Sequence, residues 1–252
     1  MRIEMVGLLI TLLLGIFILI GSLIAFLIKK RQKVIDFSLG LAFSVIVMLS
    51  ILDLIPEIIE NLRLSYIWVF IIGVILGYGI LKSLDNFIPD HEDNKMNNKE
   101  LKDNLAHIGV ISSIALMIHN IIEGIAIYST TVSDVSTGLL LSVGVGFHNL
   151  PLGMVIATTF YQANQSKKKT ILFTSLLSLS TLCGGVIMFL LNTKTLNPIV
   201  LGLFLSVTLG MLIFISLSEL YPRMKEIKDK ETKNMGLLVG FILLLISWLI
   251  SQ

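Results

Sequence analysis

The sequence predicts an all-α, polytopic membrane protein of about eight transmembrane helices. Three observations predict it. Of 252 residues, 55% are hydrophobic and only 14% charged, against about a quarter charged in a soluble domain. The mean hydropathy is +0.91. Runs of roughly 20 apolar residues, the length a helix needs to cross about 30 Å of hydrocarbon, follow one another almost end to end. Apolar residues are continuous within each run, whereas a membrane barrel strand has about 10 residues in strict alternation.

The spans fall at about 5–28, 34–59, 64–84, 105–129, 136–161, 170–192, 198–221 and 235–251. The first could pass for a signal peptide. It has no small-residue cleavage motif, and Lys29-Lys30-Arg31-Gln32-Lys33 behind it reads as a stop-transfer flank. The second span holds Asp53 and Glu57 around Pro56, and the third the glycines Gly73, Gly77 and Gly79. Those glycines, like Gly144, Gly146 and Gly153 in the fifth, are expected to let helices approach closely. The sixth contains the single cysteine, Cys183, expected as a small packing residue; no disulfide within the chain is possible. The seventh ends in Glu219 before Pro222. The sizeable polar insertion lies at 85–104, with Pro89 and the acidic run Asp90-His91-Glu92-Asp93. It is expected as a cytoplasmic loop, within a single transmembrane domain covering 1–252.

Charge placement orients the chain. With eight spans both termini lie on one side and the loops alternate. Of the 19 cations, all but Arg2, Arg63 and Lys194 fall in the loops after spans 1, 3, 5 and 7. The positive-inside rule places those loops in the cytoplasm and both termini outside. The localisation expected is a cell (plasma) membrane, multi-pass, of bacterial type by its Lys/Asn/Ile-rich composition.

Ionisable groups inside a bilayer cost at least about 2.5 kcal/mol each and mark sites and pathways. Span 4 reads His119-Asn120-Ile121-Ile122-Glu123-Gly124, and span 5 reads His148-Asn149-Leu150-Pro151-Leu152-Gly153. His119 and Glu123 are four apart and share a helix face. The two histidines lie near mid-depth of spans joined by the short loop Thr130–Val135, so these helices are expected to be antiparallel neighbours. Two imidazoles, a carboxylate and amide oxygens at one depth suit a borderline dication such as Zn²⁺, Fe²⁺ or Mn²⁺. Pro151 cannot donate to Phe147, which frees a carbonyl just before His148; broken helices of this kind recur at transporter sites.

The two segments match each other as His-Asn-x-x-(Glu/Leu)-Gly. The chain resembles the ZIP family of zinc and iron transporters, whose fourth and fifth helices typically carry HNxPEG-like motifs. The resemblance covers all eight spans. It is supported by Asp53-Leu54-Ile55-Pro56-Glu57 late in span 2 and by Leu84-Asp85-Asn86-Phe87-Ile88-Pro89-Asp90-His91 after span 3. It implies a ZIP-like helix bundle and a metal site of His119, Glu123 and His148, with Asn120, Asn149 and Glu219 nearby. It also implies a transport path that could include Asp53, Glu57 and His91. The sequence departs from the pattern twice: Ile122 replaces the usual proline of span 4, and Leu152 the usual glutamate of span 5. Members of the family often hold two metals bridged by the two glutamates; here the resemblance implies one.

The leading functional expectation is transport of a divalent metal into the cytoplasm, zinc first, with Fe, Mn, Co and Cd as further candidates. The metal is substrate and no cofactor is expected. No G-x-x-x-x-G-K-[ST] motif is present, so movement follows the metal gradient and membrane potential or is coupled to protons. Two alternatives stand beside it: an intramembrane zinc-dependent hydrolase, whose three protein ligands would leave a position for water, and a non-transporting metal-binding relative. Against the hydrolase, no H-E-x-x-H and no separate base accompany the ligands. The partners expected are the metal ion and the lipid bilayer, with a homodimer admissible and no nucleic acid.

Overall fold

Inside a bilayer every backbone polar group has to be satisfied within the protein, and a helix does this within its own segment. The computed structural model describes residues 3–27, 31–87, 98–162, 167–193 and 195–251. Among these, eight helices are long and apolar enough to cross a membrane, and no strand occurs. They are α1 (Ile3–Leu27), α2 (Arg31–Leu49, continuing through Ser50–Leu54 and Ile55–Leu62), α3 (Ile67–Phe87) and α4 (Asn98–Ser133). Then follow α5 (Val135–Gln162), α6 (Lys167–Leu191), α7 (Pro198–Phe214, continuing through Ile215–Leu220 and Tyr221–Glu226) and α8 (Lys230–Ser251). The all-α, eight-span architecture expected from composition is the one observed.

Helices α1, α4, α5 and α6 pack on one another, α2 packs on α8, and α3 packs on α7. Contacts of α5 with α2 and α8, and of α4 with α7, join these groups. In α2, α4 and α7, 61% of the most apolar stretch is buried inside the molecule, against 22% in α3 and α8. The former are therefore inner helices and the latter lie at the periphery.

Lipid tails are as apolar as leucine, so helix association in a membrane depends on close backbone approach at small residues. That is what the interfaces use. A Cβ on Gly153 would collide with the Ile18 carbonyl on α1, and one on Gly124 with the Thr181 carbonyl on α6. Gly73 and Gly77 meet α7 in the same manner, and Gly146 meets Phe17. The Gly144 carbonyl accepts a 2.6 Å hydrogen bond from Ser247. Gly79 differs from the expectation: nothing stands within 4 Å of the place its Cβ would take. Cys183 also differs, lying exposed on α6 rather than packed inside.

Three local features depart from the sequence-based boundaries. First, Asp134 alone separates α4 from α5. Its carboxylate accepts from the Ser136 N–H at 2.9 Å and the Thr137 hydroxyl at 3.0 Å, capping the first turn of α5. These donors hold the Asp134 carboxyl below the usual carboxylate range. Second, α5 runs unbroken through Pro151, so the fifth helix is not interrupted at mid-depth. Third, residues 85–87 and 98–104 are helical and extend α3 and α4 into the expected 85–104 loop; His91 lies outside the described residues.

Two prolines instead reshape α2 and α7. Pro56 and Pro222 lack an N–H, and their rings would press on the carbonyls of Leu52 and Ser218 four residues back. Each helix widens just before its proline. The Ile55 N–H reaches Ser50 O, and the Tyr221 N–H reaches Ser216 O, a five-residue spacing that makes one π-turn. Such turns add a residue to the helix and recur at functional positions. Here they contain Asp53 and Glu219.

Candidate metal centre

On α4 the i, i+4 spacing stacks His119 and Glu123, with Nε2 3.7 Å from Oε1. From α5, His148 brings its Nε2 to 2.7 Å from the same oxygen. One ligand atom from each of the three lies within 4.8 Å of the others, and the two imidazole centroids are 6.2 Å apart. A tetrahedral zinc ion with ligands at about 2.0–2.1 Å places those ligand atoms about 3.3 Å apart. The observed 2.7 and 3.7 Å straddle that value, so small side-chain rotations suffice to enclose an ion.

Burial gives this arrangement its meaning. Buried polar atoms are nearly always hydrogen-bonded. Yet His119 Nε2, Asn120 Oδ1, Asn149 Oδ1 and Thr181 Oγ1 are buried with no hydrogen-bond partner. At 3.7 Å, the approach of His119 to Glu123 is too long to count as one. The first three are atoms of the two His-Asn pairs. Electron-pair donors with unfilled capacity, collected around one carboxylate, are what a borderline dication needs.

The two asparagines are placed differently. Asn149 donates to Glu123 Oε2 at 3.3 Å, so both oxygens of that carboxylate are engaged from α5. Asn120 donates through Nδ2 to Leu177 O on α6 at 3.2 Å, and its Oδ1 is buried without a partner. Leu152, one turn beyond His148, is 0% exposed and belongs to the main apolar cluster.

The carboxylates named from sequence separate into two cases. Asp53 Oδ2 stands 3.7 Å from Nδ1 of His148, on the ring's other nitrogen, and is 27% exposed. Glu57, one turn further along α2, is near enough to Asp53 and Glu123 for their charges to interact. Glu219 lies outside the three-residue group; its Oε2 is 3.8 Å from Arg223 Nη2. The sequence reading missed Thr181 and did not couple Asp53 to His148. The sequence carries a repeat that marks the turn holding Asp53, though not its partner. Ser50-Ile-Leu-Asp53-Leu-Ile-Pro56-Glu57 and Ser216-Leu-Ser-Glu219-Leu-Tyr-Pro222-Arg223 share Ser-x-x-acid-Leu-x-Pro and a final charge, on two helices of opposite direction.

Comparison with known proteins identifies the family. Residues 83–247 match the family model described as ZIP Zinc transporter. A protein named Zinc transporter ZupT from Oceanobacillus iheyensis is 30% identical, with 96% of each chain covered. The proteins of the same name from Clostridium perfringens and an Enterobacter species are each 28% identical, over 96% and 98% of this chain and 94% and 97% of theirs. With a family model matched over more than half its length, on an eight-helix scaffold that brings both His-Asn pairs together, this chain belongs to the ZIP zinc transporter family.

Proposed function

We propose that the protein carries divalent metal ions, zinc first, across the plasma membrane into the cytoplasm through the His119–Glu123–His148 site between α4 and α5. The observation that carries the reading is the buried, unpartnered Nε2 of His119 beside a carboxylate that His148 also approaches. A lone pair at that depth has no use in a merely structural bundle, where histidine normally finds a hydrogen bond. The matched relatives bear the name of a zinc transporter, and the family is one of transporters rather than enzymes.

Both termini lie outside in this reading, following the cation distribution. Asp53 and Glu57, toward the outer end of α2, offer carboxylates to an incoming cation, and Glu219 stands on the cytoplasmic side of the path. Asn120 and Asn149 supply amide oxygens next to the three ligands. At 100 mV, inside negative, the potential favours inward movement of a dication by about 4.6 kcal/mol, so no nucleotide is required. Iron, manganese, cobalt and cadmium compete with zinc for a nitrogen–oxygen site of this kind.

The test is uptake of Zn²⁺ by the purified chain in proteoliposomes, with the other four metals as competitors. Metal-dependent accumulation above protein-free vesicles is expected. Tight zinc binding without flux would point to a non-transporting metal-binding protein instead.

A further inference from the structure

A dication held by one carboxylate and two neutral imidazoles keeps half its charge uncompensated, and in a low-dielectric interior that is costly. Within this chain the two His-Asn segments are not equivalent in this respect. His119 has Glu123 one turn ahead, whereas His148 has Leu152, fully buried among apolar neighbours. The position on α5 that would answer Glu123 offers no lone pair. A carboxylate nevertheless reaches His148, from another helix: Asp53, whose Oδ2 is 3.7 Å from Nδ1.

We propose that Asp53 is the second carboxylate of the metal site, a positioning residue that holds His148 through Nδ1 and supplies the negative charge α5 lacks at Leu152. The proposal rests on the reading of His119, Glu123 and His148 as the transport site. Its logic is tautomeric. Nε2 of His148 is 2.7 Å from Glu123 Oε1, and a ring with its proton on Nε2 would donate there. To ligate metal through Nε2 the ring has to present a lone pair on that atom, so its single proton resides on Nδ1. The acceptor waiting on that side is Asp53. A histidine that ligates metal with its other nitrogen on a carboxylate is a familiar arrangement, and loss of such a partner typically weakens metal affinity by 10–100-fold.

The local fold explains why the carboxylate comes from α2. The widened turn before Pro56 carries Asp53, and α2 packs on α5. One turn away stands Glu57, a second carboxyl that offers Asp53 no cation. At 3.7 Å Asp53 stands just beyond hydrogen-bond reach of Nδ1, close enough for a small side-chain rotation to bring it onto an Nδ1–H when metal takes Nε2.

The experiment measures Zn²⁺ affinity by equilibrium dialysis on the full chain in nanodiscs, with folding checked by monodispersity. Asp53→Ala is expected to weaken binding by about 10–100-fold, and Asp53→Asn, which keeps an acceptor oxygen but no charge, by less. Adding Leu152→Glu to Asp53→Asn is expected to restore affinity, because the missing charge returns from a different helix; a role confined to packing of α2 predicts no rescue. Where the double variant does not fold, histidine ¹⁵N spectra of the zinc-loaded parent decide. A protonated Nδ1 on His148 supports the proposal, and a protonated Nε2 overturns it. Affinity within twofold of the parent in Asp53→Ala also overturns it, as does failure of rescue in a folded double variant. His119→Ala separates the two levels: if it too leaves affinity unchanged, the site reading itself fails.

Discussion

The widened turns of α2 and α7 share a sequence pattern, a proline and a backbone geometry, yet their acids are wired in opposite ways. In α7, Glu219 is followed one turn later by Arg223, and the two approach to 3.8 Å. In α2, Asp53 is followed at the same offset by Glu57, a like charge. Residues at i and i+4 on a helix are neighbours, so the identity of the residue after the proline decides what the acid meets first. Arginine draws Glu219 along its own helix. Glutamate leaves Asp53 directed across the helix interface to His148, at 3.7 Å. Equal local structure thus yields one carboxylate beside Arg223 within α7 and one beside His148 of the proposed site. Proline chemistry builds the turn, and the residue at i+4 is one difference between the two.

The largest effect is expected where the two turns stop being comparable, at the three-residue centre that α2 faces. His119→Ala and Glu123→Ala should each abolish most zinc uptake in proteoliposomes while the protein remains in the membrane. Near-normal flux in both variants would remove the reason for treating Asp53 and Glu219 differently.

Next in size is an exchange of wiring. Glu57→Arg gives α2 the cation that α7 carries, and it should draw Asp53 away from His148. Zinc affinity is expected to fall about tenfold, in the range seen when the partner of a ligating histidine is lost. Arg223→Gln, the complementary change in α7, should alter zinc affinity by no more than about twofold, because the Glu219 turn lies outside the three-residue group. If the two substitutions act equally in a dialysis measurement, the contrast between the turns is wrong.

The eight helices were legible in the sequence because hydrocarbon imposes one strong rule, about 20 apolar residues per span. The His119, Glu123 and His148 cluster was legible because its spacing is local on α4 and because the short link at Asp134 forces α4 and α5 to be neighbours. The contact of Asp53 with His148 was not legible from spacing. It depends on how α2 packs on α5, an interface without a periodic signature, and on a π-turn that shifts the face on which Asp53 stands. The continuity of α5 through Pro151 was misread for a related reason. Loss of one hydrogen bond at Pro151 predicts a break, whereas the helix, packed on α1, α4 and α8, continues through it. Gly79 and Cys183 show the limit of composition: a small residue in a span can face a neighbour or lipid, and only the packing decides which.

An effect that grows with acidity is expected from pH. Imidazole ligates metal only when a ring nitrogen is free of its proton, and its unperturbed pKa is about 6.5. Below that value protons compete with the metal at His119 and His148; above it they do not. Apparent zinc affinity should therefore be flat at pH 7–8 and fall as external pH drops below about 6, by up to roughly tenfold per pH unit for each protonated histidine. Asp53 and Glu123 protonate in the same direction at lower pH and would steepen the fall. A dialysis profile flat from pH 5 to 8 would contradict histidine ligation.

The smallest change in transport, and the sharpest view of how α5 differs from α4, should come from Leu152→Glu in an otherwise unaltered chain. Position 152 stands one turn from His148, as Glu123 stands one turn from His119, so the substitution makes the two segments alike. In the parent, Leu152 is sealed in the apolar cluster and offers nothing to a second ion. Two dications beside the single carboxylate of Glu123 would repel strongly at low dielectric, and Asp53 reaches only the far nitrogen of His148. One core metal per protomer is therefore expected in an anomalous-scattering map of the parent. A glutamate at 152 places a second carboxylate between the two helices, where it can bridge. Either a second adjacent metal or a few-fold tighter first one is then expected, with uptake changed little because the proposed inward path still passes through His119 and Glu123. Two well-occupied adjacent metals in the parent would sink this account. They would require Asn120 Oδ1, Asn149 Oδ1 and Asp53 to hold an ion without a bridging carboxylate from α5, and the asymmetry between the two His-Asn segments would then lie in sequence alone.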